Sequence, residues 1–286
     1  MPFLGMSGMS IERDSVYPAP VLGQLSVSPA AAYSLRRLSA SATKAIQVRR
    51  SSDNTTLDIG FVGSDLDVAS LIAFVGAGNG FVTTWYDQVG SVNATQAVAL
   101  AQPAIVTSGV VNYINGKPAL SNTAGTAIVA TGLTTLNTAH SISAVASSTS
   151  SIGRIVSMRS TNPLNPIFDF ISSTNLRFLI RDDTSTNSIT VTQTVANNTL
   201  LVTTGIRNTN TGFLSVNGNV TSANSTPGPI GTTTTIGGLG IGGDVGLTSC
   251  LTGNISEIVV FNSALSTSDR QILERNQGGY YAISVA

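Results

Sequence analysis

At 286 residues, with 42% hydrophobic and only 10% charged residues, the chain can bury one large core, and its 14 basic and 14 acidic side chains cancel. That balance excludes an electrostatic surface for nucleic acid or for an anionic membrane. One cysteine, Cys250, excludes an internal disulfide framework, and with a single histidine it excludes a His/Cys metal centre. The low charge is informative in itself, since a soluble monomer carries roughly a quarter charged residues. A surface of Ser, Thr, Asn and Gly is expected where a protein is packed into an assembly or displayed outside cells.

Residues 1–29 hold Pro2, Pro18, Pro20 and Pro29 among Gly and Ser with no periodic pattern. Phe3, Leu4, Met6, Met9 and Ile11 make this stretch too apolar for a tail that stays in water. The expectation is an extended N-terminal arm over 1–29 that lies along a neighbouring subunit, followed by one domain over 30–286. Residues 1–10 have no basic n-region and run at once into Glu12, Arg13 and Asp14, so no signal peptide is expected. No run approaches the roughly 20 apolar residues that cross a bilayer.

Residues 30–50 read as a first strand pair, with Leu35, Leu38, Ile46 and Val48 inward and Arg36, Arg37, Arg49 and Arg50 outward as partners of carboxylates such as Asp53 and Asp58. Ser64 and Asp67 form an N-capping pattern ahead of Val68, Leu71, Ile72 and Val75 at helical spacing, with Gly76 and Gly78 as the stop. The β-branched and aromatic run 81–86 then predicts a strand ending on the polar turn 87–90. Trp85 and Tyr86 have the chemistry to stack on a sugar face; the plain alternative is a core Trp85 with Tyr86 and Asp87 at the rim.

Farther on, Asn115-Gly116 and Asn217-Gly218 predict two tight hairpins. Segments 141–145, 154–158, 167–171, 176–181 and 200–207 predict strands, while the Thr/Asn-rich 121–140 and 182–199 predict loops or weak edges. His140, the lone histidine, is expected on a loop. Residues 251–261 predict a buried strand. Ser266 with Asp269 caps a helix stopped by Gly278-Gly279, after which 280–283 is expected to return to the sheet.

Several islands carry a resemblance: Tyr33-Ser34-Leu35-Arg36, residues 46–54, Trp85-Tyr86-Asp87-Gln88 with Asn93-Ala94-Thr95-Gln96, and Gly240-Ile241-Gly242-Gly243-Asp244. Together they resemble the catalytic domain of the α-L-arabinofuranosidase B family. The resemblance implies an all-β fold, a concanavalin A-like jelly-roll β-sandwich with one or two short helices. It also implies that Asp244 matches the family's acid/base, and that the nucleophile is a Glu upstream of it. Here the chain departs from the pattern. Its only glutamates are Glu12, Glu257 and Glu274, and Asp169 alone falls near the expected place. With one cysteine the family's disulfides are not expected, and neither is its trailing arabinose-binding trefoil. The plain reading of 237–244 is a tight Gly-rich turn whose Asp244 caps backbone amides.

The expectation is therefore a non-enzymatic, lectin-like structural protein of a bacteriophage particle, a capsid-decoration, head-fibre or tail-associated subunit. It would be made in the host cytoplasm and sit in the virion among other virion proteins and copies of itself. A host-surface glycan is its remaining candidate partner, with no nucleic acid, membrane, metal or cofactor. Carbohydrate contact would fall to Trp85, Tyr86, Asp87 and Asp244, and assembly to Phe3, Leu4, Met6, Met9 and Ile11. The alternative is a glycoside hydrolase or carbohydrate-binding module related to arabinofuranosidase, with Asp244 catalytic and Asp169 its weak partner.

Overall fold

A computed structural model describes residues 20–133, 136, 138–150, 152–158, 166–181, 187–196, 198–230 and 238–286. Antiparallel strands form two facing leaves. One leaf runs, in spatial order, through Ser188–Thr194, Asn175–Arg181, Ile167–Ser172, Gly153–Ser157, Leu239–Ile241 and Ile128–Ala130. The other runs through Leu120–Asn122, Gly253–Phe261, Ala139–Ser148, Leu201–Asn208, Thr211–Val216 and Asn219–Asn224. Gly80–Trp85 ties the leaves together. Its Thr84–Trp85 end pairs with Ala94–Thr95 beside the first leaf, and its Gly80–Phe81 end pairs with Ala104–Thr107 beside the second. At the far side a Ser188–Thr226 bridge brings the leaves together again, so the sheet curves nearly into a barrel.

The core follows from strand alternation, which sends every second side chain inward. In Ile167–Ser172, Phe168 and Phe170 enter the main core while Asp169 takes the other face. The strand Gly253–Phe261 is apolar on both faces because both are covered. Ile255, Ile258 and Val260 enter the core between the leaves. Val259 and Phe261 pack on the other side against Leu265 and Leu273. Val21 and Leu22 join this second cluster, and Ser26 donates from its amide and hydroxyl to Asp269 at 2.9 and 2.6 Å. Residues 20–29, placed by sequence in the arm, are thus packed on the sandwich. Phe3, Leu4, Met6, Met9 and Ile11 lie outside the described residues.

Both hairpins form with the left-handed backbone that their Asn-Gly turns require: φ is 50° and 74° at Asn115 and Gly116, and 49° and 86° at Asn217 and Gly218. The first helix, α1, spans Val68–Val75, but its cap is Asp67 alone, which accepts from the Ser70 amide. Ser64 takes no part, because a short strand pairing at 65–66 intervenes.

Other expectations need correction. Ala31–Ser34 and Lys44–Arg50 do not pair with each other: the first joins Gly253–Phe261, and the second joins Thr56–Val62 and Gly80–Trp85. Arg36 points inward, not outward. It is buried against Glu257, with Nε to Oε2 at 2.7 Å and Nη2 to Oε1 at 3.1 Å. In the Thr/Asn-rich segments, 128–130 is a strand paired on both sides, whereas 188–194 is an edge strand as expected, paired along its length only with 175–181. His140 lies buried within Ala139–Ser148, edge-on to Phe178, rather than on a loop. The last helix, α2, runs from Thr267 to Tyr281, straight through Gly278-Gly279. Helix propensity argued for a stop there, at about 1 kcal/mol per glycine. Tertiary anchors outweigh it: Tyr280 donates to Asp65 at 2.6 Å, Tyr281 reaches Glu257 at 3.3 Å, and the bare face of Gly278 receives Val285.

Candidate functional site

The two acids singled out by sequence share one region of the first leaf. Asp169 stands on the sheet face opposite the core phenylalanines, and its register partners on the flanking strands are Arg154 and Arg177. Side chains paired across antiparallel strands project from the same face, so the register itself sets these charges side by side. Arg177 grips Asp169 with a two-point fork, Nε to Oδ1 at 3.0 Å and Nη2 to Oδ2 at 2.7 Å. Asp244 sits in the turn after Leu239–Ile241, the strand that pairs with Gly153–Ser157, and its Oδ1 accepts from Arg154 Nη1. Its Oδ2 accepts from the Thr248 hydroxyl at 2.8 Å. The result is an alternating row, Asp244, Arg154, Asp169, Arg177, in which each acid has an arginine of its own.

Burial makes these pairings stringent. Asp169 and Asp244 are each 5% exposed, and an unpaired carboxylate at such a position would cost several kcal/mol. The turn that carries Asp244 is tight for a steric reason. A side chain on Gly240 would strike the carbonyl of Gly243, and one on Gly242, where φ is 79°, would strike Asn122. The Asp244 amide donates to the Thr248 carbonyl at 3.0 Å and its carbonyl accepts from Leu247 at 2.9 Å, which closes the loop on itself.

Trp85, Tyr86 and Asp87 do not form a sugar platform together. Trp85 is 0% exposed in the main core, tilted against Tyr33 with ring centres 6.1 Å apart. Asp87 spends its carboxylate on three backbone amides, those of Ala32, Val89 and Val92, at 2.9, 3.1 and 3.3 Å. It staples the end of one strand to the start of another. With Asp87 beside it, Tyr86 lines a shallow polar hollow of about 340 Å³ next to Lys44 and Asn93, of which Asp244 is not part. One face of its ring lies under the Lys44 ammonium, 5.3 Å from the ring centre, and its hydroxyl donates to Asp58 at 2.7 Å. Burial, with that hydrogen bond and the Asp58 charge, pushes the Tyr86 hydroxyl up to about 12. Burial alone would raise Asp58, but the bonds from Lys44, Tyr86 and Gln47 outweigh it and hold the carboxyl below its usual range.

The remaining nucleophile and metal candidates have structural places. The Cys250 thiol is half-buried and burial pushes it up, which keeps it in the unreactive protonated form. Among the described residues no three His, Cys, Asp or Glu side chains approach closely enough to hold a metal ion. Glu257 is fully buried and accepts from Arg36, Ser34, Gln277 and Tyr281. Glu274 is buried beside Arg270.

Residues 133–269 match the family model of the Concanavalin A-like lectin/glucanases superfamily. The fold is concanavalin A-like. Among solved structures, it is similar to a GH54 α-L-arabinofuranosidase soaked with a cyclic sulfate inhibitor, with a TM-score of 0.62 at 17% identity over 91% of this chain. A second arabinofuranosidase, complexed with arabinofuranosyl-α-1,2-xylobiose, gives a TM-score of 0.62 at 16% identity over the same share. The chain spans 64% of the length of each. Among curated proteins no sequence matches.

Sequence reasoning found both acids and missed the arginines that hold them. The signal was present: Arg177 interrupts the apolar run Leu176 to Ile180 as Asp169 interrupts Phe168 and Phe170. A charged residue at the outward phase of each of two adjacent strands is a candidate cross-strand pair, but only register decides whether the two meet.

Proposed function

We propose that this chain is a non-catalytic, lectin-like structural subunit of a bacteriophage particle, in the role of a capsid-decoration, head-fibre or tail-associated protein. Its partners would be other virion proteins and copies of itself, with a host-surface glycan as the ligand of its sandwich. The observation that carries the non-catalytic part is that each acid is held by an arginine, Asp169 through a two-point fork and Asp244 through one oxygen. Retaining hydrolysis needs one free carboxylate to attack and a second carboxyl that gives up and regains a proton, about 5–5.5 Å apart. Asp169 bound two-point by Arg177 is a poor nucleophile, because attack must first break both charge-assisted bonds. Asp244 commits Oδ1 to Arg154 and Oδ2 to the Thr248 hydroxyl, so neither oxygen is free to carry a proton to a leaving group.

Support for an assembled particle comes from composition: 10% charged residues overall, and six large apolar residues within the first eleven. The test is the solution mass by light scattering, for the full chain and for a chain lacking residues 1–19. An oligomer that falls to monomer without those residues supports the reading, and two monomers would sink it.

One observation favours the second reading, a glycosidase of arabinofuranosidase type. The register sets Asp169 beside the arginine that holds Asp244, so both acids lie on one face of one leaf. Arabinofuranoside hydrolysis by the wild type that disappears in Asp244→Asn would establish it.

A further inference from the structure

Away from the acid row, a cleft of about 510 Å³ opens between the first turn of α2 and the strands 201–208 and 211–216 of the second leaf. At its base lies Arg270, 7% exposed. One end of its guanidinium is fixed, since Nη1 donates to the Ser215 hydroxyl at 3.1 Å and to Glu274 Oε2. The other edge, Nε with Nη2, makes no hydrogen bond among the described residues and is not sealed off from solvent. Those two parallel donors are the side-on fork that fits a planar carboxylate. Arg270 thus brings a nearly buried guanidinium with an unused fork to the lining of the cleft, where Ser266 and Thr267 add the amide end of the α2 dipole.

The walls narrow the ligand. Phe213, Val220 and Leu265 supply an apolar side, while Thr204, Asn208 and Thr267 supply hydroxyl and amide groups around it. Inorganic phosphate would leave the apolar wall unused, and a fatty carboxylate would strand the polar rim without partners. We propose that this cleft binds an acidic sugar, a uronic or nonulosonic acid. Its carboxylate forks onto Arg270 Nε and Nη2, its hydroxyls meet Thr204, Asn208 and Thr267, and its apolar ring face lies on Phe213 and Val220. Burial pushes the Glu274 carboxyl up against the opposing pull of Arg270. The inference deepens the glycan contact proposed above and rests on none of the assembly argument. A monomer that binds an acidic sugar would sink the assembly reading alone.

The test is ligand-observed NMR on the full chain with D-glucuronate, N-acetylneuraminate, D-glucose and octanoate. Binding of either acidic sugar at least about tenfold tighter than glucose is expected, since one charge-assisted fork is worth that factor or more. Arg270→Gln should abolish the preference for the acid. Because that change also strips Glu274 of its partner, Val220→Asp at the half-exposed mouth provides a second arm: it leaves the melting temperature unchanged and weakens the acidic sugar several-fold by like-charge repulsion. The proposal is overturned if neither acid binds, if glucose or octanoate binds as well as the acids, or if Val220→Asp binds them as the wild type does.

Discussion

Replacing Glu257 by Gln keeps the side chain's shape and removes its charge, and the structure says what that costs. Oε2 accepts from Arg36 Nε at 2.7 Å, Ser34 Oγ at 3.0 Å and Tyr281 Oη at 3.3 Å; Oε1 accepts from Arg36 Nη2 at 3.1 Å and Gln277 Nε2 at 3.0 Å. A glutamine keeps one of these oxygens and turns the other into a donor that faces two donors. Arg36, 6% exposed, is left as a buried cation without its counter-charge. Removing one member of a buried pair costs about 3–5 kcal/mol, because the survivor stays desolvated. For a domain of this size that is a fall in melting temperature on the order of 10 °C. The assay is guanidinium unfolding of wild type and Glu257→Gln, with the midpoint shifted and the slope unchanged. Changing Arg36→Met in the Glu257→Gln background should recover part of the loss, since it removes the stranded cation. A loss below about 1 kcal/mol for Glu257→Gln would refute the argument that this network carries charge out of reach of solvent.

Three further outcomes follow from particular contacts. Asp269 accepts from the Ser26 hydroxyl and amide and from Ser266, and these bonds hold its carboxyl below the usual range. Its stabilisation is complete above the ordinary carboxylate value of about 4 and is lost as pH falls through the lower folded value. Hydrogen exchange at residues 20–27 should accordingly rise on acidification below pH about 4, and Asp269→Asn should show that faster exchange already at neutral pH. Gly205 faces the ring of Phe178 so closely that a Cβ could not fit, and Gly205→Ala should lose about 1–3 kcal/mol in a thermal melt. Arg177→Met leaves the buried Asp169 without its fork and should lose about 1–3 kcal/mol in the same melt.

Local chemistry wrote much of the fold into the sequence. The Asn-Gly turns, the α1 periodicity closed by Gly76 and the strand segments 141–145, 154–157, 167–171, 176–181 and 201–207 all depend on short-range preferences, so they were legible one segment at a time, though 139–140 was read as loop. The resemblance in the islands around Arg36, Trp85 and Asp244 gave the β-sandwich. What the sequence left open was decided by partners far along the chain. Arg36 turned inward because Glu257, 221 residues away, offers it two oxygens. The helix α2 ran past two glycines because Tyr280 and Tyr281 are anchored on Asp65 and Glu257. Asp169 and Asp244 were visible as acids, but whether they were free or held by arginine depended on the register of three strands. A single-residue slip in that register would have sent Arg177 into the core and left Asp169 unpaired. Residue type and spacing determined which side chains could carry chemistry; the pairing of distant strands determined which of them still could once the chain was folded, because charge pairing acts through space and not along the sequence.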